Sequence, residues 1–193
     1  MAIDLSLTAV PIQVKNILSK SVEKKDSEYA DALFTLPSAF QSDFIDFGHP
    51  DWIAFRKDAI SLVKYYPKKK FEDKYHFDTN RIYGALNYLI AQYENKKESS
   101  FFNDGIPVDE LRSGQGFLLK YWDREMIKKK KELIESIKYE DLIRHYDFEK
   151  MYMDGVYKVT QIDKDSIKTI FQGLKDFIIN AAILNGFVIV SKY

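Results

Sequence analysis

The C-terminal part of the chain constrains the fold most, because it joins a long amphipathic helix to a short apolar strand. Within residues 166–184, apolar side chains recur every three or four positions, which predicts a helix with one buried face. Gly186 follows and favours a left-handed residue at the helix end. Residues 187–191 are an apolar run typical of a strand.

The N-terminus carries a second strand pattern. In residues 4–10, Leu5, Leu7 and Ala9 alternate with polar residues, which predicts a strand with one buried face. A strand at each end, with helices between them, predicts an α+β fold, a helix-rich domain whose small sheet includes the N- and C-terminal strands. We expect residues 1–193 to form a single domain, because this length suits one domain and no repeat divides it.

Further elements are predicted between the terminal strands. Asp78 or Thr79 is expected to cap a helix over residues 80–94, and Asp123 a helix over 124–137. Residues 95–113 are polar and contain turn-forming residues, so we predict a long loop there. Other helices are predicted at 11–22 and 51–65, shorter helical turns at 139–144 and 148–153, a turn at 154–155 and a strand at 116–121.

Charge and cysteine content exclude several kinds of site. The chain has 29 basic and 29 acidic residues, so it offers no overall field for nucleic acid or an anionic membrane. It has no cysteine, which excludes disulfides, thiolate nucleophiles and thiolate metal sites. The N-terminus does not resemble a signal peptide, and the apolar runs are too short to cross a bilayer. We therefore expect a cytoplasmic protein without a membrane partner.

Three segments resemble a known family. NRIYGALNYLI (residues 80–90) resembles the central helix of the YfbM-like family of uncharacterised bacterial proteins. GQGFLLKYWDREMIKK (114–129) resembles its strand leading into a helix, and LIRHYDFEKMYMDGVY (142–157) its Tyr-Asp-x-x-x-Met-x-x-x-x-(Ile/Val)-Tyr segment. The resemblance implies an α+β fold and a bacterial cytoplasmic origin, and no activity, because none is established for that family.

The resemblance has limits that matter for function. It covers most of residues 75–193 and the extreme N-terminus, whereas residues 23–50 match no part of the family pattern. The central helix of the family usually carries a Trp and a His where this chain has Tyr83 and Asn87. No role of that His can therefore be carried over.

Histidines and nearby carboxylates are the candidates for an enzyme site. His76 with Asp78, and His145 with Asp147, each place a carboxylate two residues from an imidazole. A carboxylate can orient an imidazole, but surface or capping roles are the commoner reason for such spacing. His49 precedes Pro50 and suits a helix start. No histidine spacing matches a metal motif, and we predict no metal or cofactor and assign no catalytic residue.

Aromatic and basic clusters are the candidates for a binding surface. Lys68, Lys69 and Lys70 lie between aromatic residues, a mixture found in proteins that bind single-stranded nucleic acid. Residues 128–131 are four lysines expected on a solvated helix face. A partner surface could be formed by Phe40, Phe44, Phe47, Trp52, Tyr121 and Trp122, although packing in the core is the commoner role of such residues.

The absence of a catalytic motif favours a binding protein that forms a complex with another bacterial protein. A more specific version is an immunity protein that neutralises a toxin. One alternative is an enzyme whose site brings His76, Asp78, His145 and Asp147 together from distant segments. The other is a nucleic-acid binder using Lys68, Lys69 and Lys70, against which the neutral net charge argues.

Overall fold

The computed structural model describes residues 5–12, 74–79, 81–112, 118–156 and 164–192. The helices predicted at 11–22 and 51–65 lie almost entirely outside these ranges. The described elements are β1 (Leu5–Val10), β2 (His76–Asp78), α1 (Tyr83–Tyr93), β3 (Ile106–Arg112), β4 (Leu118–Trp122), α2 (Arg124–Ser136), α3 (Tyr139–Ile143), α4 (Phe148–Met153), α5 (Lys164–Leu184) and β5 (Phe187–Lys192).

The described strands form one antiparallel sheet in the order β2-β1-β5-β4-β3. β1 and β5 pair over their whole lengths, from Leu5 opposite Lys192 to Val10 opposite Phe187. The two terminal strands therefore meet inside the sheet, and the predicted α+β fold is confirmed.

β1 differs from its prediction in one respect, because both of its faces are buried rather than one. All six of its residues are buried, including Ser6 and Thr8. β1 also lies between β2 and β5, so neither of its edges is exposed. The Thr8 hydroxyl is satisfied by a hydrogen bond of 3.0 Å with Nδ1 of His76 in β2.

The turn between α5 and β5 corrects the prediction for Gly186. The left-handed residue at the helix end is Asn185, with φ of 55°. Gly186 is required by a close approach instead, because a Cβ at this position would lie 1.8 Å from the carbonyl oxygen of Val10. This contact holds the end of α5 against the end of β1.

Helices α5, α2 and α1 supply a large part of the core, which the strands complete. α5 is the long amphipathic helix that the sequence predicts, and α2 begins as predicted at Asp123, whose side chain accepts a hydrogen bond of 2.9 Å from the Met126 amide. The buried apolar residues of these helices are Ile167, Phe171, Leu174, Phe177, Ile178, Ala181 and Leu184 of α5, Ile127 and Ile134 of α2, and Ala85, Leu86, Leu89, Ile90 and Ala91 of α1.

Two local predictions are wrong. Thr79 does not cap α1, because the Thr79 hydroxyl donates to the Leu5 carbonyl at 3.1 Å. Helix α1 begins after Ile82 without a side-chain cap. The predicted loop at 95–113 contains strand β3. Among the described strands, β3 lies at the edge and pairs only with β4, so it can accommodate Pro107 and does not need an alternating apolar pattern.

Candidate functional site

A groove with a volume of about 390 Å³ follows one face of α1. Its two sides come from the loop after α1 and from the turn after α4, and we call it the α1 groove. The described residues that line it are Tyr83, Gly84, Asn87, Tyr88 and Ala91 on the helix, Lys97, Glu98 and Asn103 in the loop wall, and Asp154, Gly155 and Val156 in the turn wall.

The spacing on α1 explains why these helix residues share a face. Tyr83, Asn87 and Ala91 are four residues apart, as are Gly84 and Tyr88, so they form two neighbouring rows. The buried residues Leu86, Leu89 and Ile90 face the core. The polar face of α1 is therefore the floor of the groove, and its small residues leave room above it.

Asn103 fixes the loop wall to the floor. Its Oδ1 accepts a hydrogen bond of 2.5 Å from the Tyr83 hydroxyl and one of 2.8 Å from Nζ of Lys192. Its Nδ2 donates to Oε1 of Glu98 at 2.9 Å, and its backbone carbonyl accepts from Nζ of Lys120 at 2.8 Å. With every polar group of Asn103 engaged, this end of the groove is preorganised.

The ionisation of Tyr83 and Lys192 reflects this packing. Burial, assisted by the Glu98 carboxylate, raises the pKa of Tyr83 to about 12. Burial lowers the pKa of Lys192, although Glu98 opposes that effect. The Lys192 ammonium lies 3.1 Å from the Tyr83 hydroxyl and 5.0 Å from the centre of its ring. Tyr83 is therefore a neutral hydrogen-bonding group at neutral pH.

Tyr88 fixes the turn wall to the floor. Its hydroxyl donates to Oδ2 of Asp154 at 3.2 Å. Gly155, with φ of 74°, makes the turn in which the Val156 amide donates back to the Met151 carbonyl at 2.9 Å. Burial raises the pKa of Tyr88, and the carboxylates of Asp154 and Asp147 add to that effect. Two negative charges therefore act on this end of the groove.

Asn87 lies on the floor with a side-chain oxygen that no described residue binds. Its Oδ1 is buried and has no hydrogen-bond partner among the described parts of the chain. Leaving a buried polar group unpaired costs about 1–3 kcal/mol. Such a group calls for an explanation, and a ligand in the groove is one.

An exposed apolar surface adjoins the turn wall. Phe148 is 42% exposed, Tyr152 66% and Met153 76%, all on α4, and we call these three residues the α4 patch. The rings of Phe148 and Tyr152 stack with their centres 6.4 Å apart. The fully buried Met151 anchors α4 to the core. The patch therefore leads directly into the turn at 154–156.

A family model described as a domain of unknown function (DUF1877) matches residues 15–191. The chain belongs to this family. The matched range includes both the α1 groove and the α4 patch, and it agrees with the expectation of an uncharacterised family. No curated protein and no solved structure is significantly similar to the chain.

The histidine and carboxylate candidates of this DUF1877 domain do not line the groove. His76 and Asp78 lie in β2, where His76 bonds to Thr8. His145 is exposed after α3, and Asp147 caps α4 by accepting a hydrogen bond of 3.0 Å from the Lys150 amide. The described residues contain no group of three His, Asp or Glu side chains placed to hold a metal ion.

The partner-surface candidates divide between buried and undescribed positions. The interpretation of Trp122 as an exposed anchor is wrong, since it is fully buried and its Nε1 donates to the Asp104 carbonyl at 3.2 Å. Tyr121 is half-buried against Phe187. The candidates outside the described residues are Phe40, Phe44, Phe47, His49, Trp52, Lys68, Lys69 and Lys70.

Lys130 corrects the expectation of a solvated lysine run. It is only 4% exposed, and its Nζ donates to the Phe101 carbonyl and to Oδ1 of Asp104, each at 2.5 Å. The ammonium also lies 4.3 Å from the centre of the Trp122 ring. Burial lowers the pKa of Lys130, against the opposing effect of Asp104. The burial of Lys130 could have been predicted from its position, because it falls on the same helical face as the buried residues Ile127 and Ile134.

Within the described ranges, no helix combines the length and apolarity that crossing a membrane would require. The residues that sequence reasoning missed are those of the α1 groove and the α4 patch. The groove combines segments about 50 positions apart, and no local motif marks it. The α4 patch did have a signal, since four large apolar side chains within one six-residue helix exceed what one buried face can hold.

Proposed function

We propose that this DUF1877 domain is a non-catalytic binding protein that recognises another protein through the α4 patch and the adjoining α1 groove. The observation that carries the proposal is the concentration of exposed apolar side chains on α4. Six large apolar side chains are exposed among the described residues, and three of them belong to this one short helix. Aromatic and methionine side chains are enriched at the centres of protein interfaces.

The shape of the surface supports a protein segment as the ligand. The α4 patch offers apolar contact area, and the α1 groove beside it offers hydrogen-bonding groups in a partly enclosed space. Apolar anchors combined with a few placed polar groups are the usual composition of a specific interface. A segment that crosses the turn at 154–156 could contact both surfaces at once.

A more specific form of the proposal is an immunity protein that neutralises a toxin in the bacterial cytoplasm. It is supported by the size of the chain, its neutral charge and its lack of a catalytic motif. The enzyme alternative gains no support from the groove, because neither His76 nor His145 lines it. Nucleic-acid binding through Lys68, Lys69 and Lys70 stays a prediction outside the described residues.

The test is affinity capture from the native cells with matched surface variants. The double variant Tyr152→Ala, Met153→Ala removes most of the α4 patch, whereas Ile183→Ala truncates a 65% exposed residue on α5. Both should fold, because substitutions at exposed positions usually change stability by less than about 0.5 kcal/mol. We expect one stoichiometric protein partner with the wild type and Ile183→Ala, and its loss with the double variant.

Two results would contradict the proposal. One is that no protein co-purifies with the wild type at low salt. The other is that the double variant retains the partner as well as Ile183→Ala does, which would place the interface elsewhere on the molecule. Circular dichroism of each variant separates loss of the interface from loss of the fold.

A further inference from the structure

We propose that the α1 groove binds an organic cation, and that this cation is the lysine or arginine side chain of the partner. The second part rests on the proposed function, because it names what the partner segment inserts beside the α4 patch. The argument comes from the charges, the acceptors and the aromatic face at the Tyr88 end of the groove.

The charged groups of the groove favour a cation. Its described lining contains two carboxylates, Glu98 and Asp154, and one ammonium, Lys97. Glu98 already accepts a hydrogen bond from Asn103. Asp154 accepts from Tyr88 with Oδ2 only, which leaves its Oδ1 without a partner among the residues that the structure describes. Asp147 acts on the same tyrosine and adds a further negative charge at this end.

The basic groups lie toward the other wall. Lys97 is exposed in the loop wall. Lys192 is bound by Tyr83 and Asn103, at the Tyr83 end of the groove. They leave the carboxylate of Asp154 available in the turn wall. Among the lining residues, a ligand cation would therefore meet the carboxylate of Asp154 in the turn wall, whereas the one lysine of the lining lies in the loop wall.

Uncommitted acceptors and the ring of Tyr88 complete the site. Asn87 supplies a carboxamide whose Oδ1 has no partner in the described structure. An ammonium has three N–H donors and a guanidinium five, so either can donate to Asp154 and, once the buried Oδ1 of Asn87 turns into the groove, to Asn87 as well. Cations also bind over tyrosine rings within about 6 Å of the ring centre. The protein places Lys192 at 5.0 Å from Tyr83 in this way, whereas the ring of Tyr88 holds no such cation from the described residues.

Other ligand classes fit less well. An anion would be brought against Glu98 and Asp154, and like charges at close range are repulsive. An apolar ligand would cover Asp154 and Asn87 without offering a donor, which leaves both groups desolvated and unpaired. A cation is the class that satisfies the free carboxylate oxygen and the unpaired carboxamide at once.

The test is NMR titration of the ¹⁵N-labelled protein with capped amino acids as probes. N-acetyl-L-arginine amide and N-acetyl-L-lysine amide carry the proposed cations, and N-acetyl-L-norleucine amide is a neutral probe of similar length. We expect saturable shifts of the Asn87 side-chain amide and of the backbone amides at 154–156 with the two cations, and no saturable shift with norleucine. Free putrescine tests whether the site prefers a small amine.

Two charge variants make the test specific. Asp154→Asn removes the charge but keeps an acceptor for Tyr88, and we expect it to weaken the cation about tenfold, the loss of one charge-assisted hydrogen bond. Glu132→Gln removes the same charge from an exposed position on α2 outside the groove, and should leave binding unchanged.

Three results would overturn the inference, even if affinity capture identifies a partner that needs Tyr152. They are equal shifts with the norleucine probe, no saturable shift with either cation, and full binding of the cations by Asp154→Asn. Putrescine binding without binding of the capped residues would overturn the assignment to a protein side chain. Saturable cation binding together with a failed capture experiment would instead count against the proposed partner surface on α4.

Discussion

Asn87 and Asn103 are two asparagines of the same groove with opposite roles. Asn103 uses its whole side chain to hold the loop wall, whereas Asn87 leaves its Oδ1 buried and unpaired among the described residues. The difference separates a group that stabilises the fold from one that the fold tolerates. Residues of the second kind are often retained for binding at some cost in stability.

Replacing Asn87 with leucine should stabilise the protein. The change removes a buried group without a partner, so we expect the free energy of unfolding to rise by about 1 kcal/mol. Asn103→Leu is the matched control and should lower it by roughly 2–3 kcal/mol, because several hydrogen bonds are lost. Urea denaturation measures both. A loss of stability in Asn87→Leu would show that its carboxamide supports the fold.

Lys130 gives the protein a pH dependence in the alkaline range. Burial lowers its pKa in the folded state below the ordinary 10.5. Between the lowered value and 10.5 the unfolded chain binds more protons at this site than the folded protein does, so Lys130 adds stability as the pH rises. Below that window both states are protonated, and the folded protein bears the full cost of the buried charge.

The variant Lys130→Met isolates this effect. We expect the stability of the wild type relative to the variant to increase as the pH rises through the window below 10.5. Urea denaturation of both proteins at a series of alkaline pH values measures the difference between their free energies of unfolding. The titration of the tyrosines cancels in this difference, because both proteins contain the same tyrosines. A difference that stays constant or falls over this range would contradict the burial of Lys130.

At the scale of elements, local periodicity predicted the helices well and the edge strands poorly. α2 and α5 carry complete apolar stripes and a clear cap or stop signal, so each was expected at nearly its observed bounds. β2 has three residues and β3 contains a proline. Such strands form because a neighbouring strand supplies their hydrogen bonds, and their own sequence does not reveal that neighbour.

The junction of α5 and β5 provides an element-scale prediction. In Gly186→Ala the new Cβ would lie 1.8 Å from the Val10 carbonyl oxygen, so β1 and β5 would have to separate locally. We expect the free energy of unfolding to fall by about 3 kcal/mol. Gly173→Ala is the control, because its Cβ would meet only the Phe77 ring at 3.4 Å, an ordinary contact, and alanine favours the helix. Similar losses in both variants would contradict the close approach at Gly186.

At the scale of the whole molecule, the sequence predicted the architecture and missed the site. The two terminal strands pair as expected, because a strand pattern at each end has few other partners. The groove could not be predicted, since its walls at residues 97–103 and 154–156 lie far apart in the chain and come together only through tertiary packing, in which α1 contacts α3. The turn at 154–156 is where the groove and the α4 patch meet, and the proposed function depends on that meeting.

Site-specific photo-crosslinking in the native cells tests this account most directly. The photoreactive amino acid p-benzoylphenylalanine would replace Tyr152 in the α4 patch or, as a control, the similarly exposed Ile183 on α5. We predict one adduct of defined mass from position 152 and none from position 183. No adduct at position 152, or the same adducts from both positions, would contradict the assignment of the α4 patch as the partner surface.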